Sequence, residues 1–223
     1  MTGAPKPAGA PKPAGAPGPG GATTKTRAQR SEDSRARILD AAVACLVDGG
    51  YAAATTLTIQ AAAEVSRGRL LHHFPSRDRL LVAAAQHLAV KRVRDTEDRV
   101  LSIVGTGIEG WDRADRVVEL LWESFHEPHF WAAIELWTAA RANAEIAEVL
   151  RPEERRLGAV IKASVGRMFG EPLVSHPRFR QLRDLLLTSM RGTALTYAFD
   201  PRDVRRDPMV AQWKDLTRTL LAG

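Results

Sequence analysis

Apolar residues recur at helical spacing along most of the chain. In RARILDAAVACLVD, Ile38, Ala42, Cys45 and Leu46 fall on one face, and the pattern stops at Gly49 and Gly50. Ser31, followed by Glu32 and Asp33, is read as the N-cap of this helix, because acidic groups in a first turn complement the helix dipole. Thr56 is the N-cap expected for a short second helix, in which Ile59 and Ala63 form an i, i+4 apolar pair, and Ser66 is the cap expected for a third. Pro75 biases Phe74 out of helical backbone. Ser76 then opens a fourth helix, Arg77 to about Val100, with Leu81, Ala84, Ala85 and Leu88 as its stripe. Beyond Thr106, DRVVELLWESF, HFWAAIELWTAARA, PEERRLGAVIKASVGRMF, FRQLRDLLLTSMRGTALTYAF and MVAQWKDLTRTLL all read as helices, and none sustains the alternation of a strand. The predicted fold class is all-α: a three-helix unit, a long connecting helix and a helical body of about five more.

Composition changes the picture at the amino terminus. GAPKPA, GAPKPA and GAPGPG follow one another there, and such spacing of Pro with Gly and Ala favours solvated states over a packed core. Residues 1–24 are therefore expected to be a disordered tail, in which Lys6 and Lys12 add weak attraction to a polyanion. Residues 25–78 form the predicted three-helix domain and residues 79–223 the predicted body. Lys and Arg number 32 against 26 Asp and Glu, a formal charge of +6, which points first to nucleic acid and second to an anionic membrane surface. No apolar run approaches the roughly 20 residues that span a bilayer, and MTGAPKPAGA lacks the apolar segment of a secretory signal. Cys45 has no second thiol to pair with and reads as a small packing residue. These readings place the protein in the cytoplasm.

On a helical wheel of the third helix, Leu70 and Phe74 share one side, while Gly68 and His72 lie opposite, flanked by Arg69 and Leu71. A glycine inside so short a helix costs about 1 kcal/mol relative to alanine; it also removes bulk where another surface approaches. Two helices joined by a tight turn, the second with arginines on its free face, make the pattern of a helix-turn-helix, because an α-helix fits the major groove of B-DNA. Arginine reaches guanine edges or phosphates, Leu71 reaches a thymine methyl or a sugar, and the helix starts at Thr56 and Ser66 offer amides to phosphate oxygens. A solvated basic face is the competing reading of the same residues.

The stretch from Arg35 to Leu81 resembles the DNA-binding unit of the TetR (tetracycline-repressor) family of transcriptional regulators, through ILDAA, GGY, TT, VSRGRLLHHF and the S-R-x-x-L that follows. The resemblance implies a ligand-responsive regulator, a repressor released from a palindromic operator by a small molecule. Its implied partners are double-stranded DNA, an effector and a second copy of the chain, with no cofactor. It further implies that Thr55 and Thr56 lie near phosphate, that Ser66, Arg67, Gly68, Arg69, Leu71 and His72 enter the major groove, and that His73 grips the backbone. Arg67 and Arg69 are the residues expected to read bases, and Arg77 stands where such proteins usually carry a phosphate-contacting lysine. Gln60 and Glu64 depart from the Ala and Gly favoured in the family, and Leu71 replaces a frequent Tyr. Glu64 must make the turn between the two helices without glycine's freedom.

Competing motifs are weaker. GTGIEG, Gly105 to Gly110, matches G-x-G-x-x-G, yet a dinucleotide fingerprint needs a preceding strand, and the flanks here read as helices. A nicotinamide-dependent enzyme and a non-specific DNA-coating protein are the alternative functions. His72 and His73 are adjacent, HEPH is one residue short of H-E-x-x-H, and no nucleophile-base-acid series stands out, so neither a metal site nor catalysis is expected. In the body, Trp122, Phe125, Trp137 and Met190 are the expected walls of the small-molecule cavity that the family usually encloses, with His126, Glu135 and Arg141 as its polar anchors. Leu182, Leu185, Leu186 and Met190, with Val210, Trp213, Leu216 and Leu220, are the faces expected to pair two copies into a homodimer.

Overall fold

The computed structural model of the protein describes residues 1–3, 26–104 and 107–222. The tail predicted for residues 1–24 lies outside them, Met1–Gly3 excepted. Regular structure among the described residues is helical throughout: α1 (Arg27–Ala53), α2 (Thr56–Ala62), α3 (Arg67–His73), α4 (Arg77–Val104), α5 (Gly110–Ser124), α6 (Pro128–Ala142), α7 (Ala144–Phe169), α8 (Phe179–Thr196) and α9 (Met209–Leu221).

Side-chain caps explain where these helices start. Thr26, not Ser31, caps α1: its hydroxyl accepts from the Gln29 amide at 3.2 Å while its own amide donates to the Gln29 side chain at 2.8 Å, so two orphan donors are satisfied reciprocally. Thr55, not Thr56, caps α2, accepting from the Thr58 amide at 3.1 Å. Ser66 and Ser76 cap α3 and α4 as expected, accepting from the amides of Arg69 and Arg79 at 3.3 Å each. Asn143 caps α7, which runs through Pro152 rather than beginning there. Gly50, with φ 71°, breaks the end of α1 and offsets Tyr51 to Ala53 from the helix body. Glu64, with φ 53°, makes the turn between α2 and α3 in the left-handed region, a conformation that costs a residue with a Cβ about 1–2 kcal/mol.

Two apolar clusters hold the molecule together. Ile38, Leu46, Ile59, Leu70, Phe74 and Leu81 centre the first, which also takes in Ala132 and Leu136 of α6 and Leu150 of α7. The three-helix unit is thus packed directly on the body. The second joins Val118, Trp122, Phe169, Leu186, Met190 and Trp213, from α5, α7, α8 and α9. Burying a side chain of this size stabilises by about 1.5–3 kcal/mol, and α6 contributes to both clusters. Polar clamps fix the ends. Arg113 donates from Nε to the Met168 carbonyl and from Nη2 to the Arg167 carbonyl, each at 2.8 Å, closing the end of α7 beside Gly170. A Cβ on Gly170 would sit 2.6 Å from that guanidinium.

Candidate DNA interface and effector cavity

α3 divides as its sequence predicts. Leu70 and Phe74 are buried, whereas Arg67, Gly68, Arg69, Leu71 and His72 are exposed. A Cβ added to Gly68 would meet nothing within 4 Å, so the protein's own packing supplies no reason for glycine in a seven-residue helix. The space it leaves is outside the protein. Arg67 has no hydrogen bond to any described residue, but Arg69 reaches across to α1, donating from Nη1 to Ser34 Oγ at 3.1 Å. Ser34 is buried and donates in turn to the Arg30 carbonyl at 2.9 Å. Arg69, Arg27, Arg30 and His72 thereby line a groove of about 620 Å³ between α1 and α3, floored by Ser31, Ser34 and Ser66. Burial, and then the neighbouring His72, Arg35 and Arg69, lower the pKa of His73 and favour its neutral form. Leu57 on α2 is 71% exposed, an apolar side chain that the sequence pattern did not single out.

Arg77 points the other way. Its Nε donates to the Ala54 carbonyl at 2.8 Å, its Nη2 donates to the Tyr51 carbonyl, and its guanidinium lies 4.1 Å from the centre of the Tyr51 ring. The Tyr51 hydroxyl donates to Asp78 Oδ1 at 2.7 Å. The guanidinium therefore closes the turn that presents Thr55 and Thr56.

A cavity of about 280 Å³ lies between α4, α5, α6, α7 and α8. Of the residues predicted to line it, Phe125 and Trp137 do. The others are placed elsewhere. Trp122 and Met190 are fully buried in the second cluster, and the Trp122 indole donates to the Val204 carbonyl at 2.8 Å. His126 packs edge-on against Trp122 and Tyr197, with ring centres 4.4 and 4.5 Å away. Arg141 is exposed at the end of α6. Glu135 sits two positions before Trp137, about 200° around a helix of 3.6 residues per turn, and so faces away from the cavity. Its carboxylate accepts from the Tyr51 amide at 2.9 Å, just after the break at Gly50.

Polar residues that the sequence reading did not assign to the cavity also line it: Arg92, Thr96, Ser124, His129, Glu154 and Arg191. Their one local signal is on α4, where Ala89, Arg92, Val93 and Thr96 continue the apolar stripe at i, i+3, i+4, i+7. Arg92 Nε lies 3.3 Å from Glu127 Oε2, and Asp95 stands 3.7 Å from Arg92 Nη1. Glu127 Oε2 also lies 3.8 Å from His129 Nδ1. Arg92 Nε, Glu127 Oε2 and His129 Nδ1 are buried without a hydrogen-bond partner among the described residues. Burial, reinforced by Arg92, lowers the His129 pKa to about 4, so the ring is neutral at pH 7. Burial likewise raises the pKa of Glu154, which accepts from Gln86 Nε2 at 2.7 Å and from Trp137. Arg191 stands 5.0 Å from the centre of the Trp137 ring.

Among the described residues, no group of three His, Cys, Asp or Glu side chains is arranged to hold a metal, and no helix is long and apolar enough to cross a membrane. Gly105 and Thr106 of GTGIEG lie outside the described residues; the flanks are the helices α4 and α5.

Comparison with known proteins fits this geometry. The chain is 26% identical over 172 residues to the HTH-type transcriptional regulator CymR of Pseudomonas putida, covering 77% of this chain and 82% of that protein. It is 32% identical over 76 residues to the HTH-type transcriptional repressor AcnR of Corynebacterium efficiens, covering 34% of this chain and 40% of that one. Its fold is similar to that of the multidrug binding protein EbrR complexed with imidazole, with a TM-score of 0.58 at 19% identity over 84% of this chain and 94% of the other. Residues 38–84, from Ile38 in α1 to Ala84 in α4, match the family model described as bacterial regulatory proteins, tetR family. Over that segment the chain is similar to the DNA-binding unit of those regulators, with α2 and α3 in the place of its helix-turn-helix.

Proposed function

We propose that the protein is a cytoplasmic, ligand-responsive repressor that holds a palindromic operator as a homodimer and releases it when a small molecule fills the cavity between α4 and α8. The observation that carries this reading is α6. Trp137, Ala133 and His129 of that helix line the cavity, while its Glu135 holds the backbone of Tyr51 at the hinge between α1 and α2. A ligand that displaces α6 pulls on the same turn that Arg77 closes and that presents Thr55, Thr56 and the start of α4 to DNA. Ligand and operator then favour different positions of the readers, and each weakens the other's binding.

Arg67 and Arg69 read base edges in this scheme, Leu71 meets a thymine methyl, and Gly68 with His72 permits the close approach. Thr55, Thr56, Ser66 and His73 meet phosphates, and Arg77 serves them through the turn it fastens. The names of AcnR, a repressor, and EbrR, a multidrug binding protein, support the sign and the effector. Pairing has a narrower basis than the sequence suggests, because Leu182, Leu186, Met190 and Trp213 are consumed by the protein's own core. Leu185 and Leu195 of α8, with Phe199 just beyond it, remain exposed and are the residues proposed to meet a second copy.

Selection of bound duplexes from a random pool tests the reading. A symmetric preferred site is expected, with half-sites about one helical turn or more apart. Salt-sensitive binding without sequence preference would make the protein a general DNA coat.

A further inference from the structure

The charged groups around the cavity include both signs, and this restricts what the cavity accepts. Arg92 is answered by Glu127 and Asp95. Arg191 lies against the Trp137 ring, 5.0 Å from its centre, and Glu154 accepts from Gln86 Nε2 at 2.7 Å. Much of the remaining lining is apolar, with Phe125, Phe130, Ile161 and Leu187 among it. An ion of either sign entering here gives up its water and meets side chains of its own sign as well as the opposite one, a loss that apolar walls do not recover.

His129 supplies the polar selectivity. Its Nδ1 faces the Glu127 carboxylate at 3.8 Å. That distance is too long for a hydrogen bond, but the negative charge on that side favours the neutral tautomer with its proton on Nδ1 and its lone pair on Nε2. Nε2 of His129 is thus the atom left to accept a hydrogen bond from a ligand.

Resting on the reading of this cavity as the effector site, we propose that the effector is an uncharged aromatic molecule with one hydroxyl donor, a phenol or aryl alcohol, whose O–H is accepted by His129 Nε2. Neutral His129 suits this role, because a protonated ring has no lone pair to offer. Neither an aromatic carboxylate nor an arylammonium fits, the first lacking a donor at pH 7 and the second needing a countercharge.

Titration calorimetry on the full chain at pH 7 with 2-naphthol, 2-methoxynaphthalene, 2-naphthoate and 2-naphthylmethylammonium separates the classes. 2-Naphthol is expected to bind about tenfold tighter than its methyl ether, the size of one well-made hydrogen bond, and tighter than either ion. In His129→Phe that preference for the hydroxyl is expected to vanish while both neutral compounds still bind; His129→Gln, which keeps an acceptor, retains part of it and serves if the Phe variant does not fold. Tighter binding of naphthoate or of the ammonium compound would overturn the phenol assignment and leave the cavity as effector site. Binding of none of the four, or 2-naphthol binding unchanged by cavity-filling Ala133→Phe, would remove the effector site and the assignment with it.

Discussion

The groove between α1 and α3 and the cavity between α4 and α8 are both lined with arginine and histidine, yet they use these residues in opposite ways. In and beside the groove, Arg27, Arg30, Arg69 and the neighbouring Arg67 are exposed to water, and Arg69 is held only by a neutral serine hydroxyl. In the cavity, Arg92 is paired with Glu127 and Asp95, and Arg191 lies against the Trp137 ring. Exposed, unneutralised cations keep their attraction for a polyanion and gain from counterion release when DNA arrives. A desolvated site cannot keep such charges open, since an unpaired buried ion costs several kcal/mol. The same residue types therefore signal a polyanion in one place and an uncharged guest in the other.

The largest test of this contrast is on the cavity side. Its His129 stays neutral down to pH about 4, against 6.5 for the ordinary side chain. Between those values the unfolded chain binds a proton that the folded chain does not, so stability falls as the solution is acidified from about pH 6.5 toward 4. At about 1.4 kcal/mol per pKa unit, the loss attributable to this ring is roughly 2–3 kcal/mol. Urea denaturation at pH 7 and pH 4.5 measures it. His129→Phe should show that much less acid sensitivity, and equal sensitivity in both proteins would mean that the ring is not desolvated as described.

A similar magnitude is expected on the groove side, but in binding. Arg67→Ala should weaken operator binding by about 1–3 kcal/mol and relax the preference at one base position, while changing stability by no more than about 0.5 kcal/mol. Fluorescence anisotropy with the selected operator and its single-base variants reads both affinity and preference. Uniform weakening across all variants would move Arg67 from base reader to phosphate contact.

The smallest effect sharpens the contrast most. Gly68→Ala should raise stability by about 0.5–1 kcal/mol, because alanine is the better helix former and its Cβ meets nothing in the protein. It should nevertheless weaken operator binding. A variant that is more stable and binds equally well would show that nothing approaches α3 as closely as the glycine suggests.

The reading face was legible because helical periodicity is local. Leu70 and Phe74, placed at i and i+4, commit one side of α3 to the interior, and Gly68, Leu71 and His72 are left outside whatever the rest of the chain does. The caps at Ser66 and Ser76 followed from the same local logic, although at α2 two adjacent threonines were equally suited, and the backbone decided for Thr55. The cavity was legible only in part. Phe125 and Trp137 were found because large aromatics cluster in α5 and α6, but the same criterion selected Trp122 and Met190, which fill the core. Arg92, His129, Glu154 and Arg191 carry no shared motif, and they come from helices far apart in sequence.

By itself, then, the order of amino acids determined the all-helical class, the three-helix reader and the residues that reader shows to solvent, since each depends on spacing within a turn or two of helix. Tertiary structure alone decided that α6 faces the cavity with Trp137 and the reader with Glu135, that Arg77 turns inward to the carbonyls of Tyr51 and Ala54, and that Arg92 meets Glu127 beside the cavity. Those outcomes depend on the rotation and offset of one helix against another. Such relations are settled by close packing of the whole interior, and no local window of the chain contains them.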